Sequence, residues 1–193
     1  MKLAFFSLLF LAVIQFAYSQ NIGGKWYGKI TQSPGGFKQL YDLELTIKQN
    51  KKFISGTSYA TIKDSLYVKI GFTGSQDPDS IRLNESKYNV MQEVVPFPWE
   101  ICIKNYVLSY RTENTTEYLE GTWDGKGRDD DECIPGHIIL ARTPEALEQY
   151  LQANKDSLIQ TNPIIADSPP PSIDFTSSFL NTVPFKVKEI VVH

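Results

Sequence analysis

The 193-residue sequence carries few side chains suited to covalent chemistry: two cysteines, Cys102 and Cys133, and two histidines, His137 and His193. Catalysis through a nucleophile needs a base beside it, and general acid–base catalysis needs paired groups with tuned pKa values. No G-x-S-x-G, H-E-x-x-H, P-loop or dinucleotide fingerprint occurs. The acid pairs Glu113 with Glu117 and Asp42 with Glu44 fall at positions expected to be wet, and His137, just after Pro135-Gly136, reads as an ordinary polar residue at a strand start. The run Asp124 to Glu132 concentrates carboxylates but lacks the alternate-position spacing of an EF-hand, and Lys126 and Arg128 offset part of its charge, so it reads as a solvated hairpin tip. No catalytic residue, metal or cofactor is expected.

The cysteines bear on compartment. In an exported chain paired thiols usually join, so Cys102 and Cys133 are expected to close a loop of about 30 residues, worth ~3 kcal/mol on the chain-entropy account. Two free thiols or an intermolecular bridge are the alternatives. The export signal is at the start: Lys2, an apolar run from Leu3 to Ala17, then Ala17-Tyr18-Ser19 with small residues at the cleavage positions. Residues 1–19 are therefore expected to be a signal peptide, removed before Gln20, and the location secreted or periplasmic. Asn84-Glu85-Ser86 and Asn114-Thr115-Thr116 match N-glycosylation acceptors, which carry no meaning in a bacterium.

The remaining chemistry is recognition. Aromatic residues make up 12% of the chain, with ten Tyr, and Tyr41, Tyr59, Tyr67, Tyr106 and Tyr110 are the candidates to line a cup with apolar walls and polar tips. They would serve equally well as core plugs or outer cross-strand pairs.

These side chains need a scaffold, and the pattern from Gly24 to Arg142 supplies one. Tyr41, Leu43, Leu45 and Ile47 alternate with Asp42, Glu44, Thr46 and Lys48, a period of two that defines a half-buried strand. A turn at Gln49 to Lys52 leads into Phe53 to Ile62; Leu66, Val68, Ile70 and Phe72 alternate again, and Gly74 to Asp79 is expected to break the pattern. Ile81, Leu83, Tyr88 and Val90 suggest one interrupted strand. Further strands follow at Ile101 to Arg111, with room for a kink or a tight turn at Lys104-Asn105, at Glu117 to Asp124 and at His137 to Arg142. With Lys25 to Gln32 this makes about eight strands on short connections. The prediction is an all-β fold, an antiparallel up-and-down barrel that removes exposed sheet edges.

Thr143-Pro144-Glu145 is a helix start, with a hydroxyl cap, proline at the first position and an acid at the positive helix end. Leu147, Tyr150, Leu151, Asn154 and Leu158 then form a mainly apolar stripe, so a helix completes the domain at residues 20–158 and packs outside the barrel. Residues 159–184, rich in Pro and Ser, read as a disordered linker. Residues 185–193 look like a strand, which either adds to a barrel edge or opens a further domain.

Gly24-Lys25-Trp26 on the first strand, Arg142 at the end of the last and Thr116-Glu117-Tyr118 before a late strand together resemble the lipocalin, avidin and fatty-acid-binding (calycin) barrels. In those families a G-x-W tryptophan closes the barrel bottom under an arginine from the last strand, and lipocalins carry a T-D-Y loop motif and a C-terminal helix. The resemblance implies that Trp26 and Arg142 close the floor, and Gly121-Thr122-Trp123-Asp124-Gly125 echoes the opening motif as a structural anchor. The polar set with which avidins hold biotin cannot be laid on this chain. The sequence is also similar to secreted proteins of Bacteroidetes whose families carry no assigned activity.

Net charge is −3 without a basic stripe, so nucleic acid and anionic membranes are not expected partners, and no later stretch is apolar for long enough to span a bilayer. The leading expectation is a secreted, non-catalytic lipocalin-like domain that binds a small apolar or amphipathic ligand. Its rival is a cell-surface or adhesion module with a filled barrel. A barrel enzyme, the third reading, would need a polar pair inside the cup.

Overall fold

The computed structural model describes residues 20–33, 40–63 and 65–154. The expected signal peptide 1–19, the end of the expected helix including Leu158, the expected linker 159–184 and the expected strand-like segment 185–193 lie outside the described residues. Eight antiparallel strands, β1 (Gly24–Thr31), β2 (Leu40–Asn50), β3 (Phe53–Ile62), β4 (Leu66–Gln76), β5 (Ile81–Val94), β6 (Ile103–Glu113), β7 (Thr116–Lys126) and β8 (Gly136–Ala141), follow one another around a closed barrel. Closure comes from β1, which pairs with β2 on one side and with β8 on the other. The hairpin turns are short where the chain permits left-handed backbone: Lys51 after β2, and Asn114-Thr115 between β6 and β7, adopt positive φ.

Alternation decides which side chains are inside. Trp26 and Ile30, then Leu43, Leu45 and Ile47, then Ile81 and Leu83, then Tyr106 and Leu108 are buried at every second position, and their neighbours face outward. Lys104 and Asn105 do not form a kink. Both sit in regular register with β7, opposite Gly125 and Asp124. Likewise β4 runs through Gly74 to Gln76, paired with Leu83 to Ile81, so the expected break falls a few residues later.

The real irregularity is in β5. Its register against β4 jumps between Glu85, opposite Phe72, and Val90, opposite Ile70, so Ser86 to Asn89 bulge outward and Tyr88 is exposed. Against β6, β5 pairs only from Ile81 to Asn84. Beyond Asn84 the two strands part.

The barrel floor is a side-chain plug. Trp26 is fully buried, its indole N–H donates to the Ile22 carbonyl at 2.8 Å, and the Arg142 guanidinium lies 3.8 Å from the ring centroid. Arg142 also donates to the carbonyls of Gly23 (2.8 Å) and Asn21 (3.1 Å), and from Nε to Glu117 (2.6 Å). Gly24 is held at φ 111°, where any side chain is strained, and a Cβ there would stand 3.2 Å from the arginine. The echoing motif has a similar logic: a Cβ on Gly121 would lie 2.0 Å from the Val107 carbonyl oxygen, and the Trp123 indole donates to Thr31 O at 2.8 Å. Outside, helix α1 (Pro144–Ala153), capped by the Thr143 hydroxyl, packs Leu147, Tyr150 and Leu151 on Tyr118, Ile139 and Ala141.

Cys102, just before β6, and Cys133, in the β7–β8 loop, are joined in a disulfide with a Cα–Cα separation of 6.1 Å. Among the described residues no helix is long and apolar enough to cross a membrane.

Two outcomes are expected of the floor. Trp26→Ala should cost about 3–5 kcal/mol in urea unfolding, as truncation of a buried aromatic does; a parent-like midpoint would show the plug to be dispensable. Glu117 is held below its ordinary value of 4.5, first by the hydrogen bond from Tyr110 and then by Arg142. Its contribution is therefore complete above that value and fades as pH falls through the depressed folded one. The gap in melting temperature between the parent and Glu117→Gln should stay constant from neutral pH to about pH 5 and close in stronger acid.

Candidate functional site

The interior is packed at the Trp26 end and hollow at the other. At the end carrying the β3–β4, β5–β6 and β7–β8 connections lies a cavity of about 260 Å³. Ile30, Ala60, Leu66, Val68, Val95 and Ile101 give it apolar walls, and Tyr41, Trp99 and Trp123 add aromatic faces. The Cys102–Cys133 bridge lies in its lining, so the disulfide ties two cavity-forming loops together.

Beneath the cavity is a buried polar cluster. Glu85 projects inward with its side chain 0% exposed, and Lys104, on the neighbouring strand, is 10% exposed and borders the cavity. The carboxylate is satisfied on both oxygens. Ser58 Oγ (2.5 Å) and the Tyr106 hydroxyl donate to Oε1; the Lys104 backbone N–H (2.8 Å) and ammonium (3.3 Å) donate to Oε2. The backbone contact has a cause in the sheet: β5 and β6 have parted at this level, so the side chain of Glu85 supplies the acceptor that a paired strand would have offered. Burial, then the adjacent Glu85 charge, pushes the Tyr106 hydroxyl well above its ordinary value, so it stays a proton donor.

Across the parted strands, two ion pairs link the upper part of β5 to the β7–β8 loop: Lys87 with Asp130 at 3.8 Å, and Arg128 with Glu93. Both are exposed enough to be worth little singly. Three further carboxylates, Glu100, Asp131 and Glu132, line the cavity mouth, and none forms an ion pair with a described residue.

Of the five tyrosines expected to line a cup, the structure brings one to the cavity. Tyr41 borders it and donates to Gln32 Oε1 at 2.8 Å. Tyr106 lies below it, inside the polar cluster, and Tyr110 is at the opposite end, donating to Glu117 at 2.5 Å. Tyr59 and Tyr67 are on the outer wall. Tyr59 falls between inward Ser58 and Ala60, and Tyr67, 41% exposed, between inward Leu66 and Val68, so strand alternation turns both away from the interior. Sequence reasoning missed Ser58, Glu85 and Lys104. Their signal was phase: Glu85 continues Ile81 and Leu83 at period two, and Lys104 precedes Tyr106 and Leu108 in the same way.

His137 is exposed on β8, and among the described residues no group of three His, Cys, Asp or Glu is placed to hold a metal ion. The fold and site thus define a closed eight-stranded barrel with one blocked end and one hollow end. Compared with protein-family models and with curated proteins, the sequence matches none.

Removing one member of the buried pair should be severe. Glu85→Ala leaves the Lys104 ammonium uncompensated and is expected to cost about 3–5 kcal/mol, whereas the double variant Glu85→Gln/Lys104→Met should cost clearly less. Chemical denaturation of both variants decides it, and equal losses would mean that the charges are not coupled.

Proposed function

We propose that this protein is a secreted, non-catalytic binding protein that holds a small, mainly apolar molecule in the hollow end of its barrel. The observation that carries this reading is the cavity itself. Eight strands enclose a width that is either filled by side chains or holds one small ligand, and here the Trp26 half is filled while the other half keeps about 260 Å³ free between aliphatic and indole walls. Apolar space of this kind binds by removing hydrocarbon from water. Export through the segment 1–19 is part of the same proposal, and the Cys102–Cys133 bridge supports it because such bonds persist in oxidising compartments.

A non-catalytic role is favoured by the state of the buried acid. Glu85 spends both oxygens on protein donors and does not border the cavity, so it is poorly placed to exchange protons with a bound molecule. The likeness to lipocalin-type barrels belongs to the proposal as well, supported by the Trp26–Arg142 floor.

Trp99 and Trp123 line the cavity and report on it. Titrating butylbenzene, a plain hydrocarbon probe, should change their fluorescence in a saturable way. Ala60→Phe, which fills the cavity from its wall, should abolish that change while leaving the melting temperature equal or higher. Native mass spectrometry of protein purified from its own host is expected to show a retained small molecule. A parent that neither responds to the probe nor carries a ligand would end the reading.

A further inference from the structure

The Lys104 ammonium has three N–H donors, and the described residues account for two. One goes to Glu85 Oε2 at 3.3 Å and one to the Cys102 carbonyl at 3.0 Å. No third acceptor is found among the described residues, yet the side chain is nine-tenths buried and borders the cavity. A buried donor without a partner is costly, so the third N–H calls for an acceptor oxygen from whatever fills the cavity.

The surroundings also select the charge of that group. Glu85 already neutralises Lys104 at close range, so the cavity floor offers a directed donor with little net positive charge. At the mouth, the carboxylates of Glu100, Asp131 and Glu132 disfavour an anion on its way in and at rest. The donor therefore suits an oxygen that is polar but uncharged.

We propose that the ligand is a neutral molecule with an apolar body and a single carbonyl-type acceptor oxygen, seated with that oxygen on Lys104 and its body against Trp99, Trp123 and the aliphatic wall. Glu85, held in turn by Ser58 and Tyr106, acts as a positioning residue. It fixes the ammonium so that its free N–H points into the cavity rather than sweeping through several rotamers. This inference rests on the cavity reading above and adds the chemistry of the recognised group.

A matched probe series tests it by tryptophan fluorescence titration of the mature protein at neutral pH: 4-phenyl-2-butanone, butylbenzene, 4-phenylbutanoate and 4-phenylbutylamine, which share a phenyl body and differ in the end group. The ketone should bind about tenfold or more tighter than butylbenzene, the order expected of a hydrogen bond to a charged donor. In Lys104→Met that preference should shrink to within about twofold, with butylbenzene binding retained. Because the single variant leaves Glu85 unpaired, Glu85→Gln/Lys104→Met is measured beside it and should show the same loss of preference.

Ketone and hydrocarbon binding alike in the parent would overturn the inference and leave the cavity reading standing. Tighter binding of the carboxylate or the amine would overturn it too, as would a ketone preference that survives in the double variant. If no probe binds, both readings fall.

Discussion

The structure depends on one geometric constraint. When β1 pairs with both β2 and β8, the sheet has no free edge, and its interior acquires a width that the chain must either fill or leave hollow. At one end the filling is done by Trp26 and the aliphatic residues around it, with the Arg142 guanidinium laid over the indole and fastened to Gly23, Asn21 and Glu117. A cation over an aromatic face gains from the ring quadrupole, and the same guanidinium satisfies two carbonyls that the floor would otherwise leave bare. Packing and hydrogen bonding are thus satisfied together in one place, and the opposite end is free to differ.

That difference begins where β5 leaves β6. A sheet that parts loses ladder hydrogen bonds, and the orphaned backbone groups need partners. Here the Lys104 N–H finds the carboxylate of Glu85, which is buried and therefore requires further donors, and Ser58, Tyr106 and the Lys104 ammonium supply them. A buried ion pair of this sort gives little net stability compared with an apolar substitute, but removing one partner is expensive. Its effect is to fix side-chain orientation at the bottom of the cavity, which an apolar cluster would not do.

Much of the barrel was legible in the sequence because period-two alternation is a local signal. Leu43, Leu45 and Ile47 announce their face unaided, and Thr143-Pro144-Glu145 announces the helix start. The floor was legible only through the resemblance carried by Gly24-Lys25-Trp26 and Arg142, which implied a tryptophan beneath an arginine; periodicity alone did not mark it. The site was only partly legible. Tyr59 and Tyr67 were chosen for chemistry although their phase, out of step with Ser58, Ala60, Leu66 and Val68, already sent them outward. Glu85 and Lys104 are in phase with buried neighbours, and a charge at such a position marks an interior polar cluster. Two things hid it. The bulge at Ser86 to Asn89 shifts the alternation directly after Glu85, and the pairing that brings Glu85 to Lys104 is a property of strand register, which no single strand encodes.

A hollow end also has to be kept from collapsing, because unfilled space forfeits contacts that a relaxing wall would recover. The walls around the cavity are incompletely paired, since the upper parts of β5 and β6 each have a ladder partner on one side only. It is here that the Cys102–Cys133 bridge crosses from the start of β6 to the β7–β8 loop, and here that Lys87–Asp130 and Arg128–Glu93 span the parted strands. The covalent tie limits how far the loops can move inward or apart, while the ion pairs add a weaker and more adjustable constraint. The blocked end is held by close packing, which leaves no room, and the open end by a crosslink and charge pairs, which hold loops in place without filling the space between them. The division explains how one short meander keeps a solid floor and a standing cavity within the same eight strands.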